Sequence, residues 1–209
     1  MVGRIIETEA CIAEGTAFLT AHEPRFAHAV SLTGPLPLRR RQDGFRALLD
    51  AIVSQQISVA AADSIWARLE AIGAVEVGGL ALRSDEELRT CGLSRQKIGY
   101  ARALAASGID FVGLRQSATI DVISTLVTVK GIGTWTAEIY AMFSLGRADI
   151  FAPGDLALQE AYRLLFEIDE RPKEKAFREI ASAWSPWRGV AARLLWAYYQ
   201  VAKDRQGIR

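Results

Sequence analysis

Apolar residues recur at three- and four-residue intervals along most of the chain, which is the spacing of one face of an α-helix. In one such stretch, Trp135, Ile139, Met142 and Phe143 fall on a single stripe. The pattern predicts helices over 7–21, 43–56, 58–71, 95–107, 117–127, 134–145, 155–167, 173–183 and 187–202. No stretch of strand length alternates cleanly between apolar and polar residues, so we predict an all-α fold with short loops.

The residues between these segments carry helix start and stop signals. Ser84 with Glu87 is typical of a capping box, and Ser185-Pro186 is typical of a cap followed by proline in the first turn. The predicted stop signals are glycines that follow apolar runs, namely Gly73, Gly92, Gly108 and Gly146. These signals support the helical assignment independently of the apolar pattern.

One irregular break interrupts the helical pattern, from Gly34 to Arg41, where two prolines are followed by three arginines. We therefore predict N-terminal helices and a connecting loop over 1–42, and a main helical body over 43–209. The arginine run favours an ordinary solvated loop, and a contact to nucleic-acid phosphate is the alternative.

Composition narrows the class of protein. Half of the 209 residues are hydrophobic, which is typical of a globular chain with a substantial core. Lysine and arginine number 25 against 24 acidic residues, for a net charge of +1, so the surface as a whole is not basic. A nucleic-acid partner would need a local basic face.

The few cysteines and histidines argue against a metal site. The two cysteines, Cys11 and Cys91, form no Cys-x-x-Cys pair, so neither a zinc ribbon nor a four-cysteine iron–sulfur cluster can be built, and His22 and His28 do not share a helix face. No apolar segment approaches the roughly 20 residues needed to span a bilayer. We expect a soluble, cytoplasmic protein without a metal or membrane association.

A glycine-rich hairpin, from Val129 to Ala137, opens directly into a predicted helix. The turn around Gly131 and Gly133 can expose backbone N–H groups, and the helix N-terminus adds its positive end, so together they can hold a phosphate. We expect Ile132 to pack back between the helices and Lys130 to add a cation at the rim. An ordinary helix–helix turn is the alternative.

A lone carboxylate follows the hairpin, at Gly154-Asp155, 22 residues after Gly133. Asp155 is well placed to cap the next helix, because aspartate is among the favoured capping residues. Held close to DNA, the same carboxylate could stabilise a cation formed on a sugar. The two roles are compatible, since a capping carboxylate stays ionised near the helix dipole.

Two further features allow both structural and functional interpretations. Gln55-Gln56 interrupts an apolar run, where it either satisfies local backbone groups or inserts into a DNA base stack in place of a flipped nucleotide. Aromatic residues accumulate late in the chain, and most should lie in the core. A minority could stack on a base and would favour a cationic one.

Taken together, these motifs resemble the helix-hairpin-helix base-excision DNA glycosylase superfamily and, within it, the DNA-3-methyladenine glycosylase II branch. The resemblance runs from about Phe45 to the C-terminus. Its motifs are Ser54–Ser58, Val129–Ala137, Gly154-Asp155, and Trp184–Arg188 with Trp196. It implies a two-lobed helical fold with an active-site cleft between the lobes. The extra β-rich domain with which relatives often begin is not expected here.

The resemblance also implies roles for individual residues. Asp155 matches the catalytic aspartate. The aromatic residues of the base pocket would be Trp135, Trp196 and Tyr140. The DNA-binding residues would be Gln56, Lys130, Gly131, Gly133 and Thr136, with Gln56 as the intercalating wedge. No cofactor is implied.

The implied activity is hydrolytic removal of alkylated bases, of the 3-methyladenine and 7-methylguanine type, from damaged double-stranded DNA by a monomer. Bifunctional relatives place a nucleophilic lysine where this chain has Trp135, so a monofunctional enzyme is expected. The alternatives are a glycosylase for other lesions or mismatches, and a non-catalytic helix-hairpin-helix DNA-binding module.

Overall fold

The computed structural model describes the backbone of residues 2–205, which is almost entirely helical. Its helices are α1 (Glu9–His22), α2 (Pro24–Thr33), α3 (Phe45–Ser54), α4 (Val59–Ala71), α5 (Val77–Ala81), α6 (Asp85–Thr90), α7 (Arg95–Ala105), α8 (Phe111–Gln116), α9 (Thr119–Val127), α10 (Thr134–Ile139), α11 (Leu156–Phe166), α12 (Glu174–Ala181) and α13 (Arg188–Arg205). A π-helical turn covers Tyr140–Ser144, and a 3₁₀ turn covers Ser182–Trp184. Extended backbone pairs only at an isolated bridge between Ile5 and Arg147 within these residues. The all-α prediction is confirmed.

Local signals in the sequence identified several helix ends correctly. The capping box of Ser84 and Glu87 forms at the start of α6. The four predicted stop glycines all adopt positive φ, at Gly73, Gly92, Gly108 and Gly146. The prediction at Ser185-Pro186 was wrong, because α13 begins only at Arg188 and the Ser185 hydroxyl donates to Asp149 instead. Helices α2, α5, α6 and α8 were not among the predicted segments.

The chain forms two compact units. Unit 1 contains residues 41–140 and therefore α3 to α10. Its core forms where α3 packs against α4 and α7, with Leu48, Leu49 and Ile52 fully buried. These residues share one face of α3, so the apolar pattern that predicted the helix also selects the side that it buries.

Unit 2 joins residues 2–40 to the chain from 141 onward. Helix α13 packs against α1, α2 and α11. Aromatic side chains fill much of the space, with Trp184 at its centre within 6.1 Å, between ring centroids, of Phe26, Phe151, Tyr162 and Phe177. The sequence suggested separate segments 1–42 and 43–209, whereas these contacts group the N-terminal helices with the C-terminal ones.

None of the helices in the described residues is both long enough and apolar enough to cross a membrane.

Candidate active site

The glycine hairpin connects α9 to α10 in unit 1. Gly131 has φ +97°, and the Ile132 amide donates to the Val129 carbonyl at 3.0 Å, which closes the turn. A Cβ on Gly131 would overlap the ring of Tyr100, so the turn needs glycine for both its conformation and its packing. Ile132 is buried, as the sequence predicted.

The tip of the hairpin, at Lys130 and Gly133, is exposed to solvent and could contact a ligand. Gly133 precedes α10, and no side chain caps the first turn of that helix. Gly133 and Lys130 are exposed, so both can meet a partner in solution. Thr136, which was also predicted to bind DNA, has a buried side chain.

The two glutamines at the end of α3 have different surroundings. The Gln55 Nε2 donates to the Gly131 carbonyl at 2.9 Å, which ties the end of α3 to the hairpin. Gln56 is exposed and holds a left-handed backbone, with φ +57°. Gln55 therefore satisfies a backbone group, which is the structural one of the two roles that the sequence allowed. Gln56 lies beside it with its side chain exposed to solvent.

A polar cavity of about 410 Å³ lies beside this loop, within unit 1. Its lining includes Gln55, Gln56, Ser94, Gln96, Lys97, Tyr100 and the residues from Gly131 to Gly133. The Lys97 Nζ donates to the Val53 carbonyl at 2.6 Å, and burial lowers the pKa of this ammonium. Lys97 thereby satisfies one of the carbonyls left open at the end of α3.

Asp155 caps α11 in unit 2. Its Oδ1 accepts a hydrogen bond from the Leu158 amide at 3.0 Å, and its own amide donates to the Ala152 carbonyl at 3.0 Å. The same Oδ1 accepts from the Trp196 indole Nε1 at 3.3 Å. The capping role predicted for Asp155 is thus observed, and an aromatic donor meets the same carboxylate.

The loop before Asp155 is fixed by a residue that the sequence did not single out. Gln159, one turn further along α11, is buried and donates its Nε2 to the Pro153 carbonyl at 2.8 Å. The available signal was its position four residues after the aspartate, on the same helix face. This contact holds the turn from which the carboxylate projects.

The three aromatic residues predicted for a base pocket occupy different environments. Trp196 is half-buried, with its ring centroid 5.8 Å from that of Phe143. Trp135 is 47% exposed. Tyr140 is buried instead, and its hydroxyl oxygen accepts from the Gly44 amide at 2.8 Å. Burial raises the pKa of Tyr140 to about 12, so this side chain belongs to the core of unit 1.

The described residues include no group of three or more histidine, cysteine or acidic side chains placed to hold a metal ion. The chemistry available at Asp155 is that of a fixed carboxylate beside an aromatic ring.

Residues 49–186 match the family model of the HhH-GPD superfamily of base excision DNA repair proteins. The chain belongs to this superfamily. The matched range includes the hairpin, the two glutamines and Asp155, whereas α13 with Trp196 lies beyond it.

Relatives of this superfamily are similar over nearly the whole chain. DNA-3-methyladenine glycosylase 1 of Schizosaccharomyces pombe is 27% identical, over 91% of this chain and 89% of its own length. The crystal structure of a DNA-3-methyladenine glycosidase from Bacillus halodurans has a TM-score of 0.81 and 35% identity, and the match covers 89% of each chain. A 3-methyladenine DNA glycosylase of S. pombe, solved in complex with abasic DNA, has a TM-score of 0.75 and 27% identity over 88% of this chain and 95% of its own.

Some relatives are longer proteins. The chain spans 58% of a putative DNA-3-methyladenine glycosylase of Bacillus subtilis and 50% of the DNA-3-methyladenine glycosylase of Saccharomyces cerevisiae. Two structures of the Clostridium acetobutylicum 8-oxoguanine glycosylase/lyase, at 16% and 15% identity, share the fold with TM-scores of 0.76 and 0.73.

Proposed function

We propose that this chain is a monofunctional DNA glycosylase that hydrolyses the bond between deoxyribose and an alkylated base in double-stranded DNA. The observation that carries the proposal is the contact between Asp155 and Trp196, in which a helix-capping carboxylate accepts from the indole of a half-buried tryptophan. The carboxylate suits a sugar cation and the ring suits a cationic base. The relatives named DNA-3-methyladenine glycosylase support the same activity.

The leaving group determines how much catalysis is needed. A purine methylated at N3 or N7 carries a positive charge, so its glycosidic bond is already weakened. When that bond breaks, the electron pair leaves with the base nitrogen, the base departs neutral, and the sugar becomes an oxocarbenium ion. Strong general-acid help is therefore unnecessary, and stabilising the sugar cation is the main requirement.

Asp155 is the residue proposed to meet that requirement. The Leu158 amide and the Trp196 indole both donate to Oδ1, so the carboxylate is oriented before substrate arrives. A water molecule positioned by the carboxylate attacks C1′ and gives up a proton, which leaves an abasic site and a free base. Trp196 offers its ring face to the flipped base.

Two features bear on the rest of the reaction. The tip of the hairpin, where Gly133 and Lys130 are exposed and Gly131 is half-buried, is proposed to bind a backbone phosphate without reading the base sequence. Gln56 is proposed to fill the stack that the flipped nucleotide leaves. Trp135 cannot form a Schiff base with the abasic sugar, so strand cleavage is not part of the proposal. The chain is proposed to act as a monomer.

A panel of lesion oligonucleotides tests this proposal. Purified protein is incubated with duplexes that carry one 3-methyladenine, 7-methylguanine, 8-oxoguanine or mismatched base, and released base is measured by chromatography. We expect release of the methylated purines and intact strands until the abasic sites are cleaved with alkali.

The alternatives give different results in the same assay. Release confined to 8-oxoguanine or to a mismatched base would assign another specificity. Binding to every duplex without release of any base would instead favour a DNA-binding module.

A further inference from the structure

Arg193 on α13 is a buried cation whose polar contacts are all to the backbone. Its side chain lies in unit 2, where the residue is 3% exposed. The guanidinium donates from Nη1 to the Gly189 carbonyl at 2.8 Å and from Nη2 to the Met142 carbonyl at 3.4 Å, and its Nε has no partner. No carboxylate among the described residues pairs with it, although burying a charge is costly unless the charge is compensated.

The charges nearest to Arg193 have the same sign. Burial and the like charges of Arg40 and Arg39 together lower the pKa of Arg193 to about 10, so the group remains charged at neutral pH. Both neighbours are exposed and lie in the irregular segment before α3. Three guanidinium groups thus share one region of unit 2.

This grouping contrasts with many other arginines of the described residues, which pair with acidic side chains. Arg115 pairs with Asp43, Arg163 with Glu160, and Arg188 with Asp149. Arg39 and Arg40 form no ion pair within residues 2–203, the part whose side chains are described. In a chain whose acidic and basic residues nearly balance, clustering cations away from acids indicates that a negative charge arrives from outside.

The backbone around Arg40 is arranged to receive its side chain. Gly146 has φ +72°, and a Cβ at this position would overlap the Arg40 guanidinium. Glycine therefore lets Arg40 lie flat against the turn between Ser144 and Arg147. Arg39 holds a left-handed backbone, with φ +49°, which is uncommon for a residue with a side chain.

A short series of contacts links this cluster to Asp155. The Arg193 guanidinium lies over the Phe143 ring at 4.6 Å, and the Phe143 and Trp196 centroids are 5.8 Å apart. The Trp196 indole then donates to Asp155. The cluster and the proposed catalytic carboxylate therefore belong to one connected part of unit 2.

We propose that Arg39 and Arg40, with the buried guanidinium of Arg193 behind them, form a second phosphate-binding surface, which takes backbone phosphate of the DNA strand that carries the lesion. The inference rests on the proposed function for the identity of the strand. Arg39 and Arg40 contact the phosphate, because guanidinium groups match phosphate oxygens in charge and geometry. Arg193 stays buried and adds a poorly screened positive charge at short range.

Salt-dependent binding tests this surface without requiring catalysis. Affinity for a duplex with a tetrahydrofuran abasic analogue is measured by fluorescence anisotropy over a series of KCl concentrations. Each cation removed from a phosphate should lower the slope of log K against log [KCl] by roughly 0.9. We expect that loss for Arg40→Gln and for Arg39→Asn, asparagine being chosen because it tolerates positive φ. Arg40→Lys should retain the wild-type slope.

Arg25→Gln is the matched control, because Arg25 is an exposed arginine of the same unit that pairs with Glu23. It removes the same charge and should leave the slope nearly unchanged. An equal loss in Arg25→Gln and Arg40→Gln would mean that only net charge matters, and the proposal would be wrong.

Uncharged methylphosphonates, placed one at a time along both strands, then locate the contact. The wild-type protein should lose affinity when a methylphosphonate replaces a phosphate close to the abasic analogue, on the strand that carries the analogue. The Arg39→Asn/Arg40→Gln double variant should be insensitive at that position and still sensitive at other contacted phosphates. The inference fails if each methylphosphonate lowers the affinity of the double variant as much as that of the wild type. It also fails if the two proteins differ only at phosphates of the opposite strand. Both outcomes are independent of whether the wild-type protein releases methylated bases.

Discussion

The Trp196 indole Nε1 donates to Asp155 Oδ1 at 3.3 Å, across 41 positions of sequence. The Leu158 amide donates to the same oxygen, so both contacts act on Oδ1. The capping bond and the indole bond therefore act together to orient Asp155.

Asp155→Asn should lower the rate of base excision by ~100-fold or more, since one electrostatic group facing a developing charge typically contributes that much. Asparagine caps helices as well as aspartate does, so α11 should keep its start and DNA binding should persist. Single-turnover release of 3-methyladenine and affinity for an abasic duplex are the measurements.

Asp110→Asn is the matched control for this prediction. Asp110 caps α8 by accepting from the Gly113 amide at 2.9 Å, so the change removes the same charge from an equivalent position in unit 1. Its excision rate should stay near that of the wild type. Near wild-type excision by Asp155→Asn would remove Asp155 from the catalytic role.

Trp196→Phe should slow excision by ~5-fold, which corresponds to the loss of one hydrogen bond of about 1 kcal/mol. Phenylalanine keeps an aromatic face toward Phe143 and the base, but it has no N–H to offer Asp155. Trp196→Leu removes the ring as well and should be considerably slower. Single-turnover rates of the two variants separate orientation of the carboxylate from stacking. A wild-type rate for Trp196→Phe would contradict the orienting role, and equal rates for the two variants would contradict the stacking role.

Features of the fold and the site that form between neighbouring residues could be predicted from the sequence, whereas contacts between distant residues could not. The helices, the hairpin with its buried Ile132 and the capping role of Asp155 follow from neighbouring residues, and the sequence predicted them. The bond from Gln55 to Gly131 joins residues 76 positions apart, and that from Gly44 to Tyr140 joins residues 96 apart. No local pattern encodes such pairs.

Trp135 illustrates a different reason for a wrong prediction. The sequence placed it on one stripe with Ile139, Met142 and Phe143, assuming an uninterrupted α-helix over 134–145. The structure changes to a π-helical turn at Tyr140–Ser144, which alters the angular spacing between successive residues. Met142 is buried whereas Trp135 is 47% exposed, so the predicted stripe is not buried along its whole length.

Borohydride should not trap a covalent adduct between the protein and DNA. The family resemblance implies that Trp135 stands where lyase-type relatives carry a nucleophilic lysine, and an indole cannot form the Schiff base that borohydride reduces. The 8-oxoguanine glycosylase/lyase of Clostridium acetobutylicum, with its own substrate, serves as the positive control on a denaturing gel. A trapped species would assign a nucleophile to some lysine, and Lys130 would be the first to substitute.

Gly131→Ala should destabilise the protein. A side chain at φ +97° costs about 1–2 kcal/mol, and its overlap with the Tyr100 ring adds an overpacking cost of about 1–3 kcal/mol. Urea unfolding followed by circular dichroism measures the change. Gly133→Ala is the control, because its φ is −88° and nothing lies within 4 Å of an added Cβ, so the midpoint should barely move. Equal midpoints for the two variants would contradict the packing at Gly131.

Gln56→Ala should lower excision of lesions in duplex DNA more than of the same lesions in single strands. Gln56 is exposed at the end of an anchored loop and is proposed to fill the base stack that a flipped nucleotide vacates, which a single strand does not have. Because Gln56 carries no charge, the salt dependence of binding should be unchanged in this variant. Lys130→Ala is the contrasting variant: it should lower the slope of log K against log [salt] by about one on every sequence, because it removes a proposed phosphate contact. Excision rates on matched duplex and single-stranded oligonucleotides decide the matter. Equal losses on both substrates would mean that Gln56 only supports the junction between α3 and α4.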